Sequence, residues 1–255
     1  MSHQSQNGSL EISIHNKIAT FTFQHPASNS FPSALLTQLT NAFDTISKND
    51  DVHLVVLKSE GTGAFCAGAS FHELISIDGL EEGTAFFSGF ANVINAMRTC
   101  SKLIIGRVQG KAVGGGVGLI AACDYVFASE TAAIKLSELT IGIGPFVIEP
   151  AVTRKIGLPA FSELSLAASE WKSAAWAKEK GLYAKTLKTI EALDEEVITF
   201  TKNLSAYNSE ALKKMKKILW KETNHWNALL LERAEISGKL VLSDFTKKAL
   251  EKFKK

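Results

Sequence analysis

Apolar and polar residues alternate along the start of the chain. Between residues 10 and 23, apolar side chains fall at nearly every second position on both sides of the pair Asn16-Lys17. A period of two is typical of β-strands, and a short polar pair between two such runs indicates a tight turn. After Ser33, a residue type that often caps helices, the period lengthens to that of a helix. The pattern therefore predicts a β-hairpin followed by a helix.

A strand, a glycine-rich turn and a helix are predicted to follow one another twice. Residues 52–57 form an apolar run before the first glycine turn, residues 61–70. Residues 103–108 stand in the same relation to the second glycine turn, residues 110–116. Strands that alternate with helices indicate an α/β fold with a parallel or mixed sheet. From Leu193 onward the pattern is helical only, so we expect a core, residues 1–190, and a helical region, residues 191–255.

The second glycine turn indicates a binding site for negative charge. Gly114, Gly115 and Gly116 open a predicted helix, and the first N–H groups of a helix have no partner within it. Such groups bind a phosphate or an oxygen that becomes negative during a reaction. Leu119 stands where the dinucleotide motif needs a glycine, and Ala112 stands where the P-loop needs Ser or Thr. We therefore favour an oxyanion site, and the alternative is a turn needed only for close packing.

Composition and charge narrow the classes of function. The chain has 255 residues and a net charge of +2, and no sequence pattern indicates nucleic-acid binding. The basic excess is local, because residues 211–255 contain 12 Lys and Arg against 5 Asp and Glu. These lysines form either solvated helix faces or a site for an anionic ligand. A polar start, 3 cysteines without metal spacing and no apolar run of ~20 residues lead us to expect a cytoplasmic protein that binds neither metal nor membrane.

The usual arrangements of nucleophiles and metal ligands are absent from the sequence. There is no Gly-x-Ser-x-Gly elbow, and His72-Glu73 lacks the second histidine of a zinc-binding helix. Two glycine turns and nearby carboxylates remain. Two backbone N–H groups that converge on one oxygen form an oxyanion hole, and Ala69 and Gly115 are the candidate donors.

Several segments, taken in order, carry a family resemblance. They are Phe65-Cys66-Ala67-Gly68-Ala69, the second glycine turn, Cys123-Asp124 and Leu136-Ser137-Glu138. Their order and spacing resemble the crotonase (enoyl-CoA hydratase/isomerase) superfamily over roughly residues 10–183. The resemblance implies a spiral core of ββα turns and a helical C-terminal region that trimerises. It also implies coenzyme A thioester substrates with no separate cofactor.

The resemblance assigns roles to individual residues. It implies that the thioester carbonyl lies between the N–H groups of Ala69 and Gly115, which stabilise an enolate. The residues expected to contact the acyl-CoA are Ala27, Ser28, Asn29, Ala67, Gly68, Phe71 and Gly114, together with Phe245 and Lys248 near the C-terminus. We expect a homotrimer or hexamer in which subunit contacts cover the apolar runs 229–231 and 240–242.

The sequence departs from the family at one acidic position. Two-acid hydratases carry a glutamate two residues after the glycine triplet, where this chain has Gly118, while the second family glutamate is present as Glu138. A single carboxylate favours double-bond isomerisation, in which one group removes a proton and returns it elsewhere. The alternatives are hydration with Glu149 as the second acid, or a non-catalytic acyl-CoA-binding protein. Glu149 is equally interpreted as a carboxylate at a helix N-terminus before Pro150.

Overall fold

The computed structural model describes residues 7–252. Most of the polar start, which contributed to the expectation of a cytoplasmic protein, lies outside the described residues. The strands of this part are β1 (Ser9–His15), β2 (Ile18–Gln24), β3 (Leu54–Ser59), β4 (Leu103–Val108), β5 (Ala112–Val113), β6 (Tyr125–Ser129), β7 (Ala133–Lys135), β8 (Lys172–Ser173) and β9 (Lys185–Leu187).

Two sheets form the core. The larger has the order β1-β2-β3-β4-β6-β9, in which only β1 and β2 are antiparallel. The smaller has the order β5-β7-β8. The hairpin predicted from residues 10–23 is confirmed, and its turn has positive φ at Asn16 (50°) and Lys17 (67°). That conformation matches the twist of the two strands.

Helices cover the sheets and make up the C-terminal part. They are α1 (Ser33–Ser47), α2 (Phe71–Ser76), α3 (Leu80–Thr99), α4 (Gly115–Ala122), α5 (Glu149–Leu166), α6 (Ala174–Glu179), α7 (Ile190–Ser205), α8 (Ser209–Leu219), α9 (Trp226–Leu240) and α10 (Asp244–Glu251), with a 3₁₀ turn at Glu138–Ile141. Helix α5 bends at Gly157, whose φ is 76°. None of the described helices is long and apolar enough to cross a membrane.

The N-terminus of α1 differs from the prediction. Ser33 is the first helical residue rather than a cap, and Pro32 holds the cap position without a side-chain hydrogen bond. The Ser33 N–H instead donates to the carboxylate of Glu73, at 3.2 and 3.0 Å, and the Ser33 hydroxyl donates to Glu73 Oε2 at 2.6 Å. Glu73 therefore caps α1 from helix α2.

Helix α9 packs closely on the core helix α3. A Cβ at Gly83 would lie 2.9 Å from the Gly238 carbonyl oxygen, so these two glycines let the backbones approach. The apolar runs that we expected to be covered between subunits are largely covered within the chain. Leu230 and Val241 are 0% and 2% exposed, whereas Leu231 is 43% exposed.

The change from mixed to helical structure falls at the predicted boundary, because β9 ends at Leu187 and α7 begins at Ile190. One hydrophobic cluster nevertheless extends from the hairpin to α9 and α10. The division of the chain into two domains stays a prediction.

Candidate active site

The first glycine turn presents the N–H of Ala69. Gly68 has a φ of 91°. The residues on either side of Ala69 form hydrogen bonds with the backbone of Phe31. Phe31 N–H donates to the Gly68 carbonyl at 2.8 Å, and Ser70 N–H donates to the Phe31 carbonyl at 3.0 Å. In this bridge the N–H of Ala69 points away from Phe31. It donates to no acceptor within residues 7–252.

The second glycine turn presents the N–H of Gly115. Gly114 has φ 53° and ψ −121°, a conformation that side chains disfavour, and its own N–H donates to the Lys135 carbonyl at 3.0 Å. Gly115 is the first residue of α4, so its N–H has no acceptor in the helix, and none elsewhere in the described chain. Both candidate oxyanion donors thus have no hydrogen-bond acceptor among the described residues.

Cys66 joins the two glycine turns. Its N–H donates to the Lys111 carbonyl at 3.2 Å, and its carbonyl accepts from Val113 N–H at 2.9 Å. The Sγ of Cys66 accepts a hydrogen bond from Gly68 N–H at 3.2 Å. A Cβ added at Gly116 would lie 2.7 Å from the Cβ of Cys66, so the second glycine turn packs closely against it. Burial raises the pKa of this thiol to about 12, so it stays neutral. The sequence pattern did not predict that Cys66 joins the two glycine turns. Its position between Phe65 and Gly68, at the start of the first turn's motif, was the one feature that could have indicated this role.

Glu138 lies against the second glycine turn. A Cβ at Gly114 would lie 2.9 Å from Glu138 Oε1, while Oε2 is buried and has no hydrogen-bond partner. Burial raises the pKa of this carboxyl from 4.5 to about 7, and a hydrogen bond from its own backbone opposes the rise. The residue as a whole is half-buried, yet its carboxylate is withdrawn from water. The sequence prediction thus identified a carboxyl group whose pKa is near neutrality.

A small cavity adjoins this carboxylate. It has a volume of about 40 Å³ and is lined by Phe90, Gly115, Glu138, Gly144, Pro145, Phe146, Val147, Ile148 and Ser237. Among these residues Glu138 carries the one carboxylate. The glycine whose N–H is a candidate oxyanion donor and the predicted base therefore share one cavity.

The loop of residues 27–29 is held beside the first glycine turn. The Ser28 carbonyl accepts from Ala67 N–H at 3.1 Å, and Asn29 Nδ2 donates to the Ala64 carbonyl at 2.9 Å. Ser28 and Asn29 both have positive φ, at 53° and 57°. The structure therefore brings Ala27, Ser28 and Asn29 together with Ala67 and Gly68, as the resemblance implied.

The predicted C-terminal contacts lie on α10, next to the Glu138 turn. A Cβ at Gly142 would lie 2.5 Å from Phe245 Cδ1, which shows how closely this helix packs on the turn. The rest of Phe245 is exposed, as are Lys248 and the start of α2 at Phe71. Their contact with an acyl-CoA stays a prediction.

Comparison with known proteins identifies the family of this chain. The family described as enoyl-CoA hydratase/isomerase matches residues 13–254. The chain belongs to this family. It is therefore a crotonase-family enzyme that acts on an acyl-CoA by hydration or isomerisation.

Individual relatives span both reactions. The chain is 30% identical over 203 residues to a probable enoyl-CoA hydratase of Bacillus subtilis, covering 79% of this chain and 76% of that protein. It is 27% identical over 206 residues to a peroxisomal Δ(3,5)-Δ(2,4)-dienoyl-CoA isomerase of Arabidopsis thaliana, covering 75% and 72%. The structure of enoyl-CoA hydratase from Bacillus halodurans superposes with a TM-score of 0.89 over 95% of this chain and 99% of that one, at 22% identity. This superposition confirms the crotonase fold.

Ile148 occupies the space beside Gly118, the position where two-acid members of this family carry a glutamate. A Cβ at Gly118 would lie 2.3 Å from Ile148 Cγ2 and 2.7 Å from Ile148 Cβ. Real Cβ atoms do not approach so closely, so a larger side chain at residue 118 requires Ile148 to move. Where two-acid members have the glutamate side chain, this protein thus has the apolar side chain of Ile148. The sequence pattern did not predict this contact.

Glu149, the predicted replacement acid, is bound elsewhere. It is the first residue of α5; its Oε1 accepts from Thr153 Oγ1 at 2.9 Å, and its Oε2 lies 3.8 Å from Arg233 Nη2. It does not line the cavity of Glu138. Its position matches the alternative interpretation, a carboxylate at a helix N-terminus, and its role as an acid stays a prediction.

Proposed function

We propose that this enzyme moves a carbon–carbon double bond within an enoyl-CoA, with Glu138 as the one acid–base group. The observation that carries the proposal is the cavity beside Gly115, whose single carboxylate is Glu138. Proton removal and return can use one group, provided that it titrates near the working pH. A pKa of about 7 supports that role for Glu138.

In the proposed mechanism the thioester oxygen accepts hydrogen bonds from the N–H groups of Ala69 and Gly115. Ionised Glu138 removes a proton from the α-carbon of a 3-enoyl thioester, and the electron pair of the broken C–H bond forms a conjugated dienolate whose negative oxygen lies between these donors. The neutral acid then returns the proton to the γ-carbon, which leaves the double bond one position nearer the thioester. Each oxyanion donor contributes about 2.7–4 kcal/mol in comparable enzymes.

The same arrangement gives less support to hydration. Water addition needs a positioned water and a proton donor, and two-acid enzymes divide these tasks between two carboxylates. Here Ile148 fills the space next to Gly118, and Glu149 is held by Thr153 and Arg233. We further propose that residues 27–29, Ala67, Gly68, Phe71 and Gly114 contact the acyl-CoA, with Phe245 and Lys248 nearer its phosphates.

The experiment compares wild type with Glu138→Gln on matched 2-enoyl and 3-enoyl CoA thioesters. We expect wild type to interconvert the two, and the variant to turn over about 10²–10⁴ times more slowly, the usual effect of losing a positioned proton-transfer group. Binding of the thioester should persist, because the oxyanion donors are backbone groups. Glu130→Gln, at an exposed residue, is the control.

Two results would contradict the proposal. Rapid hydration by wild type that falls in Glu149→Gln would establish a two-acid hydratase. Tight acyl-CoA binding without turnover of any thioester would establish a binding protein.

A further inference from the structure

A groove lies on the face of the large sheet that helix α7 partly covers. It is bordered by strands β1–β4 on one side and by α7 on the other, and its volume is about 570 Å³. That volume falls within the range of ~300–1,000 Å³ usual for small-molecule sites. None of its lining residues belongs to the candidate active site. We call it the sheet groove.

Two cations stand side by side in the sheet groove. Lys58 on β3 and Arg107 on β4 are register partners in adjacent strands, and like charges in that position repel each other. Arg107 is only 6% exposed, so its charge is poorly hydrated. The repulsion and the burial together raise the free energy of this arrangement unless negative charge compensates.

One acid compensates only in part. Arg107 donates to both carboxylate oxygens of Asp194, Nε to Oδ1 at 2.8 Å and Nη2 to Oδ2 at 3.1 Å, so the single charge of Asp194 balances that of Arg107. Lys58 forms no ion pair within the described residues, nor does Lys202 on α7 across the groove. The sheet groove therefore has an excess of positive charge.

The floor between these charges is formed mainly by apolar side chains, with Thr20 and Thr201 beside them. Ile18, Val56 and Val197 line it, and Ile198 lies at its edge, 65% exposed. An ammonium group binds an anion with up to three donors, while an apolar floor favours a ligand with a hydrocarbon body. A bare inorganic ion satisfies only the first of these features.

We propose that the sheet groove binds a small organic carboxylate, whose charge lies between Lys58 and Lys202 and whose apolar part rests on the floor. The site is separate from the acyl-CoA site and does not depend on the reaction proposed above.

The test is calorimetric titration of the full-length protein with hexanoate at low ionic strength. We expect saturable binding to wild type and about a tenfold rise in Kd in Lys58→Met/Lys202→Met. Lys188→Met/Lys214→Met removes the same total charge at exposed residues outside the groove, and we expect its Kd to stay within about twofold of wild type. Inorganic phosphate should bind more weakly than hexanoate, because it has no apolar part.

A second variant keeps the test decisive if the double lysine variant folds poorly. Ile198→Glu adds negative charge at an exposed edge of the groove and should weaken hexanoate binding without disturbing the core. Three results would overturn the proposal: no saturable hexanoate binding to wild type, equal losses in the two double variants, or phosphate binding as tight as that of hexanoate. If hexanoate binds in the acyl-CoA site instead, its Kd should be the same in the groove variants as in wild type. That result would also overturn the proposal.

Discussion

At Glu138, burial and the absence of a partner for Oε2 act in the same direction. Oε2 is shielded from water and has no donor to compensate, so the carboxyl group is more easily protonated, and its pKa rises to about 7. Such a group is ionised often enough near neutral pH to take a proton, and is basic enough to hold it. The same burial that makes Glu138 useful for proton transfer therefore costs folding stability.

The cost of burying Glu138 should appear in the pH dependence of stability. Its pKa is about 7 in the folded state, against 4.5 for the unperturbed group, so the folded state binds more protons between these values. Protonation of Glu138 therefore favours the folded state. This contribution to the free energy of unfolding is complete below pH 4.5 and is lost as the pH rises to about 7, a change on the order of 3 kcal/mol. In urea unfolding, Glu138→Gln should gain stability relative to wild type on going from pH 5 to pH 8, by about 2–3 kcal/mol. Parallel pH profiles for the two proteins would refute the raised pKa.

At the scale of elements, the contact between α4 and the start of α5 decides what residue 118 can be. Ile148 precedes α5 and packs against Gly118 in α4, so the two helices meet where a hydratase glutamate would project. The chemistry of the cavity thus depends on how closely two helices approach.

Restoring the second acid should require two changes. Gly118→Glu alone should destabilise the protein, typically by about 1–3 kcal/mol, because its side chain collides with Ile148. Gly118→Glu combined with Ile148→Gly removes that collision and should gain measurable hydration of a 2-enoyl-CoA, detected by loss of the conjugated absorbance. Ile148→Gly alone is the control, and hydration by that variant equal to the double variant would show that the new acid does nothing.

The buried carboxylate of Asp124 links helix α8 to the core through hydrogen bonds and an ion pair. Asp124 Oδ2 accepts from Ile104 N–H and from Lys216 Nζ, each at 2.7 Å, and Oδ1 accepts from Trp220 Nε1 at 2.6 Å. The side chains of Asp124 and Lys216 are 3% and 2% exposed. These contacts give Asp124 a structural role.

Removing one partner of this pair should be costly. Lys216→Met leaves the Asp124 charge buried with one donor fewer, and we expect a loss of about 3–5 kcal/mol in the free energy of unfolding. Lys213→Met, on the same helix, breaks a pair with the exposed Asp50 and should lower the free energy of unfolding much less. Urea unfolding followed by circular dichroism measures both, and equal losses would show that the buried pair has no special role.

At the scale of the whole molecule, the C-terminal helices close over the core and still leave apolar side chains exposed. Leu158, Leu166 and Ile218 are among them, while the leucines of α9 mostly face α3. Single exposed apolar residues are common on protein surfaces, so they do not by themselves identify a contact with another chain.

We predict that the chain assembles as a trimer or a dimer of trimers. Sedimentation equilibrium at micromolar concentration should give a mass of three or six times the 27.6 kDa of one chain. A single species at 27.6 kDa would exclude the assembly that the family resemblance implies.

The sequence alone determined the features that depend on neighbouring residues and on ordered motifs. Alternation around Asn16-Lys17 identified the hairpin, and the spacing of the glycine turns and Glu138 identified the family and the missing acid at residue 118. These signals are local, because side-chain periodicity and glycine conformations arise within a few residues.

Only the tertiary structure decided which distant residues meet. Glu73 caps a helix that begins 40 residues earlier, Ile148 fills the space of the absent glutamate, and Lys58 lies beside Arg107. No period or motif encodes such contacts, since they depend on how sheets and helices pack after they form. The family can therefore be identified from the sequence, whereas the environment that raises the pKa of Glu138 depends on the tertiary structure.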